Sequence, residues 1–303
     1  MRFIAMVKSD ERSEAGMMPD EKLLSAMGKY NEQLIKAGVM LGGDGLHASA
    51  KGARVKARGK KFSVFDGPFS EAKELVGGYW LLQAKSKDEV VDWMKKVPFR
   101  DGEIEIRRLY EVDDFPKDPN EQAGNWRDQE TKARTETGAP GPAAPRKPGT
   151  TRWILLLKGD KKSEAGELPT EAGMNAMAAL MDDMGKSGAL LGGEGLKPTS
   201  QGAKVTFADG KRSVIDGPFT EAKELIAGYL VLQTATREEA VEWAQRWLQV
   251  NSDHNPGFEQ GEIEIRRVQE LEDFPVDPAE KPGGWRDKEA EWQANQGNKP
   301  PAT

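Results

Sequence analysis

Cysteine is absent from this chain of 303 residues, and histidine occurs only twice, at His47 and His254. The first absence removes disulfides, thiolate nucleophiles and cysteine-held zinc. The second leaves little for imidazole chemistry or a histidine metal site. The formal net charge is −6, which argues against a dedicated binder of nucleic acid or an anionic membrane, since neutralising phosphates takes an excess of clustered Lys and Arg; the basic segment Lys51, Arg54, Lys56, Arg58, Lys60 and Lys61 reads as a solvated hairpin, and nucleic acid is not expected as a partner. No apolar run approaches the roughly 20 residues that span a bilayer, so no membrane partner is expected. Met1 to Lys8 carries no secretion-type signal. A cytoplasmic location and no cofactor are the expectations.

What is present is a repeat. Val64-Phe65-Asp66-Gly67-Pro68-Phe69-Ser70-Glu71-Ala72-Lys73-Glu74-Leu75 returns as Val214-Ile215-Asp216-Gly217-Pro218-Phe219-Thr220-Glu221-Ala222-Lys223-Glu224-Leu225 at an offset of 150 residues. The offset holds from Arg2/Arg152 to Trp93/Trp243, and nine extra residues then enter the second copy around Asn251 to Glu259. The chain therefore divides into a first domain with its C-terminal arm over 1–130, a linker rich in Pro, Gly and Ala over 131–150, and a second domain with its arm over 151–303. Fully extended, that linker reaches on the order of 60 Å, enough for the copies to meet.

Each copy reads in the same order. Arg2 to Lys8 is a nearly continuous apolar run, as a buried strand requires, with a twin at Trp153 to Leu157. Pro19 opens a helix in which Leu23, Met27, Tyr30 and Leu34 recur at helical spacing, and Gly38 stops it. Strands follow at Val39 to Leu46, around Lys51 to Lys61 and at Phe62 to Asp66, and Asp209-Gly210 signals a tight hairpin in the second copy. Gly78 to Gln83 is a further strand. Ser86 caps a helix, and Gly102-Glu103-Ile104-Glu105-Ile106-Arg107 alternates as a strand with one wet face. Hairpins between helices indicate an α+β fold: a four- or five-stranded antiparallel sheet with two helices on one face. Its other face needs cover, and the second copy supplies it in a pseudo-dimer with sheets face to face.

The arms repeat too, from Asp114-Phe115-Pro116 to Trp126-Arg127-Asp128 and from Asp273-Phe274-Pro275 to Trp285-Arg286-Asp287. A Trp at matched spacing points to an arm strapped onto a folded surface; the alternative is a floppy arm left over from the duplication.

Asp66 and Asp216 are the candidate catalytic residues. Asp66 shares a strand face with the apolar Phe62 and Val64, so a partly buried carboxylate with a raised pKa is expected there and, through the repeat, at Asp216, suited to general acid-base work. The alternative is structural, since Asp before Gly is ordinary turn chemistry. Candidate binding residues are Gly67, Pro68, Phe69, Glu71 and Lys73, their twins Gly217, Pro218, Phe219, Glu221 and Lys223, and His47. Glu71, Lys73, Glu74 and their twins read better as a solvated helix face with local ion pairs than as the lining of a polar cleft. Gly42-Gly43-Asp44-Gly45 follows a helix and leads into strands, the reverse of a nucleotide fingerprint, so its glycines mark a bulge or a close backbone approach.

These motifs (Gly-Gly-Asp/Glu-Gly-Leu, Asp-Gly-Pro-Phe-Ser/Thr-Glu-Ala-Lys-Glu-Leu, Gly-Tyr and a terminal Glu-Ile-Arg strand) resemble the YCII-related proteins, in particular their DGPF branch. The resemblance covers about 1–115 and 151–274. It implies ferredoxin-like domains paired into a dimeric α+β barrel, a superfamily that includes small-molecule enzymes. It implies no settled activity, and it links members to extracytoplasmic-function sigma factors by gene neighbourhood. The wider group's proposed active site pairs an early first-helix His with an Asp. Here Asp20, Glu21 and Lys22 follow Pro19, and Thr170, Glu171 and Ala172 follow Pro169, so that pair does not carry over. Two functions remain open: a cofactor-free small-molecule enzyme or binder using Asp66 and Asp216 in clefts beside the sheets, or a non-catalytic regulatory or assembly module with a protein partner.

Overall fold

The computed structural model describes residues 1–70, 75–115, 126–127, 146–219, 225–274 and 284–296. The first copy runs β1 (Arg2–Lys8), α1 (Glu11–Glu14), α2 (Glu21–Lys36), β2 (Met40–Gly45), β3 (Ala53–Arg58), β4 (Lys61–Asp66), β5 (Val76–Gln83), α3 (Lys87–Met94) and β6 (Gly102–Arg108). The second repeats it as β7 (Thr151–Lys158), α4 (Lys161–Glu164), α5 (Glu171–Ser187), β8 (Leu190–Gly195), β9 (Ala203–Ala208), β10 (Lys211–Asp216), β11 (Ile226–Thr234), α6 (Arg237–His254) and β12 (Gln260–Arg267), with α7 (Trp285–Gln296) in its arm. Short 3-10 turns at Ser49–Lys51 and Thr199–Gln201 lead into the hairpins.

Helix ends follow their capping chemistry. Asp20 and Thr170 accept from the backbone N–H groups of Leu23 and Gly173 and so fix the starts of α2 and α5. Pro19 and Pro169 therefore precede the cap instead of occupying the first turn. Gly38 and Gly188 end these helices at φ +70 and +73, where a side chain is strained. Asp209 and Gly210 both take positive φ, as a tight hairpin demands. The inserted residues of the second copy lengthen α6, which runs on to His254, whereas its twin α3 stops at Met94.

The sheets depart from the expected four or five strands. Among the described residues each has six, in the orders β10-β9-β6-β1-β5-β2 and β4-β3-β12-β7-β11-β8. Hairpin β3–β4 leaves its own copy and pairs with β12 of the other, Val55 opposite Ile263. Hairpin β9–β10 pairs with β6 in return, Val205 opposite Ile104. The physical reason is register. A period-2 pattern decides which face of a hairpin is buried, and both copies offer the same apolar row to receive it.

Three apolar layers hold the fold. Phe3, Ala5, Trp80, Leu82, Ile104 and Val205 pack under α2 and α3. Trp153, Leu155, Leu230, Ile263 and Val55 pack under α5 and α6. Ile4, Met6, Tyr79 and Leu81 meet Ile154, Leu156, Tyr229 and Val231 between the sheets. β1 is buried on both faces, which explains its continuous apolar run. At two corners the sheets are stitched by isolated bridges, Leu46 to Val268 and Leu109 to Leu196, so the barrel is not closed by a continuous ladder.

The arms are exchanged as well. Trp126 is buried, its backbone N–H donating to Asn175 on α5 at 3.1 Å, with Phe115 edge-on at 4.9 Å. Trp285 stands on α2 at Gly28, where an added Cβ would come within 2.9 Å of the Trp285 Cβ. Arg127 and Arg286 tie these segments to backbone carbonyls of Val112 and Leu271.

Candidate functional site

The Glu-Ile-Glu-Ile-Arg strands do not have a wet face. Their isoleucines face the helices, while Glu105, Arg107, Glu264 and Arg266 are buried on the opposite side. Two charged ladders result, one on each sheet, where the exchanged hairpin joins.

On the sheet that receives β3–β4, Arg54 stands opposite Glu264 and Lys56 opposite Glu262. Arg54 donates to Glu264 through Nε at 3.0 Å and Nη2 at 2.8 Å. Lys56 meets Glu262 at 2.8 Å, Lys158 lies 3.7 Å from Glu264, and Arg266 donates to Glu264 at 3.2 Å. Burial works against the charge on Glu264, but Lys158, Arg266 and Arg54 outweigh it and hold the carboxyl below its ordinary pKa.

The Asp-Gly-Pro-Phe segment closes a circuit with this ladder. Phe69 donates its backbone N–H to Ser49 Oγ at 3.0 Å, and Ser49 donates its own to Glu14 at 2.8 Å. Glu14 accepts from Arg266 at 2.9 Å, and Arg54, bonded to Glu264, lies 4.1 Å over the Phe69 ring. Gly67 is required here, because a Cβ at that position would fall onto the Ser49 carbonyl oxygen. The Gly67–Pro68 and Gly217–Pro218 peptides are cis.

The twin ladder holds Lys8, Glu103, Glu105, Arg107 and Lys204. Lys8 meets Glu105 at 3.2 Å, Arg107 donates to Glu105 at 3.2 Å, and Lys204 meets Glu103 at 3.1 Å. Burial opposes ionisation of Glu105, and Lys8 and Arg107 overcome it, so its pKa is also lowered. Phe219 donates to Thr199 Oγ1 at 3.0 Å, Thr199 donates to Glu164, and Lys204 lies 5.0 Å over the Phe219 ring. Arg107 turns Nε and Nη2 onto the Lys197 carbonyl, whereas the Nε of Arg266 is buried with no protein partner among the described residues.

Asp66 and Asp216 are placed differently from expectation. Their side chains are 66% and 70% exposed, and they pair with Arg237 and Lys87 at the first positions of α6 and α3. The expected burial is corrected, because β4 and β10 are edge strands and both carboxylates lie at their ends, where the helix layer stops. Pro68 and Pro218 are exposed, Phe69 and Phe219 half-buried. Glu71, Lys73, Glu221 and Lys223 lie outside the described residues. The His47 carbonyl accepts from Arg266 at 2.7 Å, but its ring is turned away, with Nε2 2.9 Å from Asp273 and Nδ1 3.3 Å from Lys51. Its twin Lys197 makes the matching contact to Asp114. A third group lies nearer the apolar layer between the sheets. Arg152 bonds Glu270 and Asp44, and Tyr79 donates to Asp44 at 2.7 Å. Burial raises the Asp44 pKa despite Arg152.

The ladder residues escaped sequence reasoning, which had assigned their strand face to solvent. The available signal was that Lys8, Glu103, Glu105 and Arg107 recur unchanged as Lys158, Glu262, Glu264 and Arg266. Among the described residues no group of three or more His, Asp or Glu is arranged to hold a metal ion, and no helix is long and apolar enough to cross a membrane.

No curated protein matches this chain. Among solved structures it is similar to chlorite dismutase from Candidatus Nitrospira defluvii in complex with imidazole, at 10% identity and a TM-score of 0.35, covering 95% of this chain and 94% of that one. A mutant of the same enzyme in complex with cyanide gives 11% identity and a TM-score of 0.34, covering 96% and 94%. The YCII-related domain matches residues 1–113 and again 151–272. The chain therefore belongs to the YCII-related family and carries its domain twice.

Proposed function

We propose that this chain is a cofactor-free binder of, or enzyme acting on, a small polar organic molecule, held at two related sites where an exchanged hairpin meets a charged ladder. The observation that supports this is the ladder itself, kept in both copies with Glu264 and Arg266 fully buried. Buried ion networks add little stability over apolar packing, and perturbed charges cluster at functional sites. In this reading Asp66 and Asp216 stand at the rim and hold the Asp-Gly-Pro-Phe loops against the opposite copy. Thermal-shift measurements with a panel of small organic acids and their amides test the reading. Stabilisation is expected in the wild type and its loss in the double variant Arg54→Met, Lys204→Met. A panel without effect, or shifts that survive in the double variant, would overturn it.

A second reading is a non-catalytic regulatory or assembly module. It draws on the contacts of Asp66 with Arg237 and Asp216 with Lys87, which join the copies. A pull-down from native cells without a protein partner above background counts against it.

A further inference from the structure

The two ladders are built alike but no longer carry the same residues at the lip. Where β3 brings Arg54 and Lys56, β9 brings Lys204 and Thr206, and where β4 presents Phe65, β10 presents Ile215. Among the described residues, the first site sets four cations (Arg54, Lys56, Lys158 and Arg266) against three carboxylates (Glu14, Glu262 and Glu264). In the second, three cations (Lys8, Arg107 and Lys204) face three (Glu103, Glu105 and Glu164). The extra cation sits at the solvent edge. The Lys56 side chain is 49% exposed and its ammonium lies 5.7 Å over the Phe65 ring, itself 50% exposed. Arg54 is fixed beneath it by two bonds to Glu264 and by the Phe69 ring. The Nε of Arg266, without a protein partner among the described residues, lies in the same site, whereas its counterpart on Arg107 is occupied.

Building on the reading of these ladders as ligand sites, we propose that only the first is a ligand site, one per chain, and that it takes a small planar carboxylate. The carboxylate meets the Lys56 ammonium and the Arg54 guanidinium, and the planar body lies against the exposed Phe65 ring. A guanidinium suits a planar anion because its N–H groups lie in one plane, and an aromatic ring favours stacking over an aliphatic contact. The second site lacks both features. Thr206 carries no charge, and Ile215 offers no flat surface.

The test is a fluorine NMR titration with 4-fluorobenzoate as the probe, 4-fluorobenzamide as the uncharged control and fluorinated cyclohexanecarboxylate as the non-planar one. The expected result is one bound equivalent of 4-fluorobenzoate per chain, with weaker binding of both controls. Lys56→Thr, an exposed change that copies the other site, is expected to weaken binding about tenfold. Thr206→Lys with Ile215→Phe is expected to add a second equivalent. Two equal equivalents in the wild type, an unchanged affinity in Lys56→Thr, equal binding of a control, or no binding of the benzoate would each overturn the proposal. Two equal equivalents that vanish only in Arg54→Met, Lys204→Met would overturn it while leaving the reading of the ladders as ligand sites standing.

Discussion

The Asp66 carboxylate of the first copy lies 2.8 Å from Nη1 of Arg237, the residue that begins α6 in the second. The most recognisable motif of the chain is thus an inter-copy contact at the surface. Exposed ion pairs contribute about 0–1 kcal/mol each. Asp66→Asn with Asp216→Asn is therefore expected to lower stability in urea by no more than roughly 2 kcal/mol in total. A larger loss would mean that these carboxylates hold the exchanged hairpins more firmly than their exposure implies.

The glycines separate close approach from simple flexibility. Gly67→Ala and Gly217→Ala place a Cβ onto the carbonyl oxygens of Ser49 and Thr199, which are backbone and cannot swing aside. Each is expected to destabilise by roughly 1–3 kcal/mol. Gly185 lies within α5 with open space around it, so Gly185→Ala is expected to stabilise by about 0.5–1 kcal/mol through the helix preference of alanine. Thermal unfolding of the three variants reads both signs.

Glu264 and Glu105 give the fold an acid dependence of defined sign. Both carboxyls are held below their ordinary pKa in the folded chain, against burial, by Lys158, Arg266 and Arg54 in one case and by Lys8 and Arg107 in the other. Their contribution is fully present above the unfolded carboxylate value of about 4.3 and is lost as pH falls through the lower folded value. Glu264→Gln leaves the surrounding cations without their shared partner and is expected to lose about 3–5 kcal/mol at neutral pH. The difference from wild type should narrow as pH falls below about 4, which urea unfolding across pH measures.

Gly38, Ser86 and Gly210 announced their elements because caps and turns are local chemistry, whereas the Asp20 cap was passed over in favour of Pro19. The pairing of Val55 with Ile263 was not legible, because a strand pattern states which face is apolar and not which chain segment completes the sheet. The wet face assigned to the Glu-Ile-Glu-Ile-Arg strand was misread for a related reason. Glu105 and Arg107 alternate with isoleucines as solvated residues do, and only the second sheet, unseen in a local window, buries them.

His47 is a case in which the two copies solve one problem differently. Burial lowers its pKa from the ordinary 6.5 in spite of Asp273, so the folded chain prefers the neutral ring. The associated stability is present above about pH 6.5 and is lost as pH falls through the folded value. His47→Lys installs the residue that meets Asp114 in the other copy. This variant should lose less stability than wild type between pH 7.5 and 5.5, and an identical loss would assign the dependence to other groups.

The hairpin exchange has a consequence for half the chain. In the intact protein the outer edge of β6 is covered by β9, with Ile104 opposite Val205 and Glu105 opposite Lys204. A chain of residues 1–130 alone has no β9. Its own β3 carries Val55 and Arg54 at the matching positions, but in the intact structure that hairpin reaches across to the other sheet. Two such half-chains can supply each other, β3 of one covering β6 of the next, and the isologous arrangement closes on itself as a dimer. The face with Ile4, Met6 and Leu81 requires the same partner. Light scattering on residues 1–130 is therefore expected to give a dimer, and dilution to unfold it, because the folded half and the association are one event. A folded monomer would show that β3–β4 can turn back onto its own sheet, and that the exchange is set by the linker rather than by the strands.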